Sequence, residues 1–163
     1  GEEVAAQWAA GILKNMARSP KGSDRDQMKA VAAGLGDLAI VNTYYVGKLL
    51  TSPDSMERAV GQQMGIFFPN QEGRGTHINV SGAGVAKYAP NKANAIKFIE
   101  FLSSEAAQEI FSSSNFEYPV NPKVKTSPLL QSWGAFKEDK LSLSTLGALN
   151  KSAVLLFDQV GWK

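Results

Sequence analysis

Asp37-Leu38-Ala39-Ile40-Val41-Asn42, followed at once by Thr43-Tyr44-Tyr45, decides how the rest of the chain is read. The first six residues form a short apolar run with the length and composition of a buried strand. After Asn42 that pattern stops and a short helical stretch continues to Leu50. A strand that leads straight into a helix belongs to the α/β class, in which ligands gather beyond the C-terminal ends of the strands.

Upstream of this segment, Val4, Trp8, Ile12 and Met16 recur every four residues, with Ala5 and Ala9 beside them. They predict an apolar stripe on an opening helix that ends near Ser19-Pro20. Asp24 is expected as the N-cap of a second helix, with Gln27 completing a capping box. Met28, Val31, Ala32 and Leu35 supply the apolar face of that helix, and Gly34 and Gly36 close it. Downstream, Ser52-Pro53-Asp54 starts a further helix. Met64 to Phe68 is a second candidate strand, and Pro69 to Gly75 a polar crossover. His77 to Val85 is a third candidate strand, in which Gly82 and Gly84 suggest a bulge. Asn91 is expected to cap a helix carrying Ala95, Ile96, Phe98, Ile99 and Leu102, and Ser104 the next, with Ile110 and Phe111. From Asn115 to Pro128 the chain reads as loop. It then returns to helix, with Leu143, Leu146, Leu149, Val154, Leu155 and Phe157 as core candidates.

Composition narrows the function. The 163 residues are 44% hydrophobic and 20% charged, the balance of an ordinary globular protein. A net charge of +2 gives no electrostatic footprint for nucleic acid or an anionic membrane. Lys14, Arg18, Lys21, Arg25 and Lys29 straddle a turn between helices and read as a solvated face. The absence of cysteine removes disulfides, thiolate metal sites and thiol nucleophiles. No apolar run approaches the length of a membrane span. The chain opens on Gly1 with a helical pattern almost at once and no leader, which implies that residues preceded it.

Enzymatic motifs fail on inspection. The single histidine, His77, lies four residues before Ser81, and in a strand that spacing separates them by more than ~10 Å. Ser81 lacks the Gly-x-Ser-x-Gly elbow of a hydrolase. The pairs Gly73/Gly75 and Gly82/Gly84 do not continue into a dinucleotide fingerprint, because Ile78 and Lys87 occupy the third-glycine positions.

Tyr44 and Tyr45 are different. In a strand their side chains would point to opposite faces, but in a helical turn they diverge by only about 100°. Both phenol oxygens then reach one point beyond the end of the strand. A free phenol has a pKa near ~10 and is scarce as phenolate at neutral pH, unless a strongly charged cation stabilises the anion. Ferric iron is the hard, oxygen-loving ion that suits two phenolates. Spacing alone leaves two readings open, an ordinary pair of core tyrosines or a hard-cation site.

The run from Ala32 to Tyr45 resembles the iron-ligand segment of bacterial periplasmic ferric-binding proteins, especially their cyanobacterial-type branch. His77 to Val85, Asn91 to Leu102, Ser104-Glu105-Ala106, Asn115 to Val120 and the closing Gly161-Trp162-Lys163 are similar to later parts of the same family. The resemblance implies the C-terminal portion of a type II periplasmic-binding-protein fold, a two-lobed receptor that closes on a hinge. Residues 1–75 and 126–163 would form the lobe bearing the tyrosines, and 76–125 part of the other lobe. The N-terminal half of the protein would be missing. Tyr44 and Tyr45 match paired Fe(III) ligands, and Asn42 matches a position that contacts a synergistic anion in some members. The remaining ligands would lie in the missing half, so weak binding is expected of this chain alone. His77 matches no ligand position, and neither do Tyr88 and Tyr118, which are assigned to packing. The implied partner is an ABC transporter permease, and the implied location is the periplasm or, by a lipid anchor, the cell surface. The competing reading is a receptor of the same fold for an oxyanion, a polyamine or a small organic acid.

Overall fold

The computed structural model describes residues 1–19 and 21–162. Within them the chain forms eight α-helices: α1 (Glu2–Lys14), α2 (Asp24–Ala32), α3 (Thr43–Leu50), α4 (Ser55–Gln62), α5 (Lys92–Leu102), α6 (Glu105–Ile110), α7 (Pro128–Ser132) and α8 (Leu143–Val160). A π-helical turn, Phe111–Asn115, extends α6. The opening helix stops at Lys14, short of the expected Ser19-Pro20. Pro20 and Lys163 lie outside the described residues.

The centre of the fold is a knot of three short helices. Helices α2, α3 and α4 all contact one another. Met28, Val46 and Leu49 form their buried core, with Val41, Tyr45, Leu50, Val60, Met64, Ile66 and Trp133 packed around it. Gly61 lets α4 approach the end of α3 closely, since a Cβ there would lie 2.9 Å from the Leu50 amide nitrogen. Charged groups lace the outside of the knot. Glu57 accepts from Ser52 Oγ at 2.8 Å and from Lys29 Nζ at 3.1 Å, and it pairs with Arg25 at 3.4 Å. Those contacts hold its carboxyl below the usual range, the Ser52 hydroxyl first, then the Lys29 ammonium.

The basic cluster is therefore more than a solvated face. Arg25 and Lys29 tie α2 to α4, and Arg18 stitches the α1–α2 turn through the carbonyls of Ser19, Lys21 and Asp26 and the Gln27 side chain.

The capping box of α2 is displaced by one residue from its expected place. Ser23 is the N-cap, and its backbone N and Oγ both donate to Asp26 Oδ2, at 2.6 and 2.9 Å. This keeps the Asp26 carboxyl below its ordinary range, chiefly through the Ser23 backbone N–H. The far end of α2 closes as expected. Gly34, at φ +74, lets Leu35 N reach Ala30 O and Gly34 N reach Val31 O, so orphan carbonyls of the last turn are satisfied.

The strands are absent. Residues 37–42, 64–68 and 77–85 take no regular secondary structure, and among the described residues the one β-bridge joins Thr76 to Glu138 in parallel. Within the described residues the chain is thus helical, and the α/β expectation is not met. A strand needs a lateral neighbour for its backbone groups, and among the described residues none of these three segments is paired with another through a backbone ladder. Asp37–Asn42 is also not buried, with Leu38 90% and Ile40 85% exposed.

Burial is lower than expected elsewhere too. Val4 and Trp8 face outward while Ala9 is the buried residue of α1, because α1 turns its small-residue side to α8. Neither α5 nor α8 buries a single residue, so Leu143, Leu149, Val154, Leu155 and Phe157 are surface residues here, not core. The crossover at Pro69–Gly75 is tied down instead by Gln71, which donates to Pro69 O, Thr76 Oγ1 and Lys137 O and accepts from Lys137 N at 2.7 Å.

Candidate metal centre

The site begins at the N-terminus of α3. Asn42 is its N-cap, extended at φ −75 and ψ 132, so the helix starts with Thr43 and both tyrosines fall in its first turn. Val46 and Leu49, the buried face of the helix, anchor it in the three-helix core. Tyr45 packs against that core while Tyr44 stands beside it. Their ring centroids are 4.4 Å apart and the planes are inclined by 40°, so the rings lie together and do not face apart. Both side chains are half-buried.

Electrostatics single out Tyr44. Its phenol is pushed up to about 12, first by hydrogen bonding with Tyr45, then by burial, then by electrostatic coupling to Tyr45 and to the Asp24 and Glu117 carboxylates. Of these causes only the smaller ones, the Asp24 and Glu117 carboxylates, would also attract a cation. Lys48, one turn further along, sets its ammonium 5.1 Å from the Tyr44 ring centroid and 5.8 Å from that of Tyr45. It thereby covers the C-terminal side of the pair.

Asn42 links three parts of the chain. Its backbone N and Nδ2 donate to Asp24 Oδ2 at 2.7 and 3.1 Å, and its Oδ1 accepts from Asn79 Nδ2 at 3.1 Å. Asp24, freed from capping by Ser23, thus fixes the start of the tyrosine helix. Glu117 is held by Asn115 Nδ2 and by Ser81 Oγ, the latter at 2.9 Å. Residues 77–85 therefore run past the site and contribute Asn79 and Ser81, although they form no strand.

The other candidates fall elsewhere. His77 is exposed. Tyr88 is 85% exposed with Lys87 over its ring, so its assignment to packing is corrected. Tyr118 does pack, edge-on to Phe136 at 5.2 Å, with its hydroxyl buried and unpaired and its acidity weakened by that burial. Sequence reasoning passed over Asp24 as a site neighbour and did not consider Glu117. Neither carries a local signal, since both reach the tyrosines only through the tertiary fold. Among the described residues no three His, Asp or Glu side chains converge to hold a metal, and no helix is long and apolar enough to cross a membrane.

The likeness to known proteins is extensive. Residues 1–109 match the family described as bacterial extracellular solute-binding protein. The chain is 49% identical to iron uptake protein A1 of Synechocystis, over 100% of this chain and 45% of that protein. Among solved structures, a ferric binding protein from Campylobacter jejuni superposes with a TM-score of 0.95 at 43% identity, covering 98% of this chain and 50% of that one. A Trichodesmium protein in complex with iron and citrate ligands superposes with a TM-score of 0.93 at 50% identity, covering 100% and 52%. The chain thus spans about half the length of these relatives and follows half of a periplasmic-binding-protein fold. The relatives are binding and uptake proteins, not enzymes, and by this sequence match and backbone path the chain belongs to the family of bacterial extracellular solute-binding proteins, within which it resembles the cyanobacterial-type ferric-binding members.

Proposed function

We propose that this chain binds ferric iron through the phenolates of Tyr44 and Tyr45, as part of a two-lobed periplasmic receptor that hands the ion to an ABC permease. The observation that carries the reading is the tyrosine pair itself, with rings 4.4 Å apart in the first turn of α3, in a chain closely similar to iron uptake proteins. Two phenolates fill only part of an iron coordination shell. The other ligands, and the neighbours for the unpaired segments 37–42, 64–68 and 77–85, come from the half of the relatives' length that this chain does not span. Residues 1–75 and 126–163 then form the tyrosine-bearing lobe and 76–125 part of the other. Asn42 keeps one amide hydrogen free after donating to Asp24, enough for one bond to a synergistic anion such as citrate.

Titrating ferric citrate into the full-length protein is expected to raise a visible tyrosinate-to-iron absorption band. Tyr44→Phe with Tyr45→Phe should abolish it. A band that survives the double replacement would overturn the reading. Each phenol that must lose its proton on binding makes the apparent affinity rise with pH, by up to about tenfold per unit. With Tyr44 pushed up to about 12, its contribution persists across the whole neutral and alkaline range. An affinity that stays flat between pH 6 and 9, after correction for citrate, would exclude phenolate ligation.

A further inference from the structure

We propose that Phe116 is a positioning residue for the tyrosine pair, wedged against Gly47 so that α3 is held at one fixed setting against the 111–117 turn. The inference rests on the iron reading of Tyr44 and Tyr45 and adds what aims them.

Gly47 lies three residues after Tyr44, on the same side of α3, one turn along. A Cβ at Gly47 would sit 2.4 Å from Phe116 Cγ, 2.6 Å from Cδ2 and 2.7 Å from Cβ. These are atoms at the root of the side chain, which cannot swing clear as a flexible tip can. Phe116 is itself buried, at 8% exposure. The ring therefore touches the helix backbone beside the tyrosines, in a contact that only glycine permits.

Local geometry shows that this contact is held in place. Phe116 is one of two non-glycine residues with positive φ among those described, at φ 59 and ψ 33. It follows directly on the π-helical turn Phe111–Asn115, a form that recurs at functional sites. A left-handed phenylalanine is unfavourable and persists only where its surroundings enforce it. Here Glu117 N donates to Phe111 O at 3.2 Å, and buried Ser112 Oγ accepts from Ser127 N at 2.8 Å. The same kink delivers the next residue, Glu117, whose carboxylate acts on Tyr44 and is gripped by Ser81 and Asn115. One strained turn thus presents a steric stop and a negative charge to the same short helix, Phe116 lying 69 residues beyond Gly47 and Glu117 lying 73 beyond Tyr44.

Helix propensity makes the test sharp. Alanine at a helical glycine favours the helix on propensity alone, so harm from Gly47→Ala must come from the collision with Phe116. The full-length protein is loaded with Fe(III) from ferric citrate, and release to a strong chelator is followed by loss of the tyrosinate–iron band. Gly47→Ala is expected to release iron about tenfold faster or more and to shift the band maximum. Gly47→Ala combined with Phe116→Ala should recover at least about half of that loss on a logarithmic scale, because the ring no longer meets the new methyl. The band position distinguishes aim from stability, since a merely weakened fold lowers the melting temperature without moving the absorption of the loaded site. If Gly47→Ala does not fold, Phe116→Leu reads the same contact, and faster release with a shifted band is again expected. Wild-type release and band position in whichever variant folds, or a double variant no better than Gly47→Ala, would overturn the inference and leave the iron reading standing. A wild-type protein with no band removes both.

Discussion

Two regions of this chain contrast sharply. The α2–α4 knot buries Met28, Val46 and Leu49, is closed by a capping box at one end and a glycine C-cap at the other, and satisfies Glu57 with three partners. Helices α5 and α8 are as regular in hydrogen bonding yet bury no residue between them. Both regions have apolar residues at helical spacing, so amphipathicity does not distinguish them. The difference lies in where the complementary surface is. For the knot it is supplied by helices a few residues away in the chain. For α5 and α8 the neighbours among the described residues, α6 and α1, leave every residue of both helices short of full burial. Self-sufficiency is thus a property of a region and its neighbours, and a periodic sequence reports only the demand for burial.

That contrast can be broken most forcefully at Leu49, which is fully buried. Leu49→Ala should cost about 2–5 kcal/mol in denaturant unfolding. A cost below about 1 kcal/mol would mean that the knot is not the cohesive unit. A smaller effect sharpens the local side of the picture. Ser23→Ala removes the cap of α2 and should cost about 1 kcal/mol at neutral pH. The Asp26 carboxyl is held below its ordinary range, so the bonds it accepts from Ser23 contribute above that range and are lost as the pH falls through its depressed pKa. The Ser23→Ala penalty should therefore shrink on acidification, and a penalty that grows in acid would disprove this capping arrangement. The smallest effect belongs to α5. Phe98→Ala, at a position 59% exposed, should change the stability of the 163-residue chain by no more than about 0.5 kcal/mol. In a protein of the relatives' full length the same change should cost about 3 kcal/mol or more, if that length covers this face. Equal small costs in both would show that α5 stays uncovered.

How far the site was legible follows from the range of each interaction. Tyr44 and Tyr45 are neighbours in sequence, and a helix start at Asn42 is enough to bring their rings together, so the pair could be recognised without coordinates. The capping of α2 was read one residue out of register because Ser23 and Asp24 are both good caps. The choice went to Ser23 because Gly22, at φ +90, lets Asp26 fold back under it, while Asp24 was drawn off by Asn42, 18 residues away. The strand expected at 37–42 does not form here for a related reason. Its composition states that it must be covered and paired, and among the described residues no backbone ladder pairs with it.

What the sequence determined by itself is everything carried by bonds between near neighbours. That includes the helices, the turn glycines, the paired phenols and the likeness to ferric-binding proteins. Only the tertiary structure decided which carboxylates act on Tyr44, that Phe116 rests on Gly47, and that three expected strands are unpaired among the described residues. Helical hydrogen bonds close within four residues, so a local pattern suffices to specify them. Sheet pairing and the aim of a binding site depend on groups distant in the chain, and no local pattern records where those groups arrive.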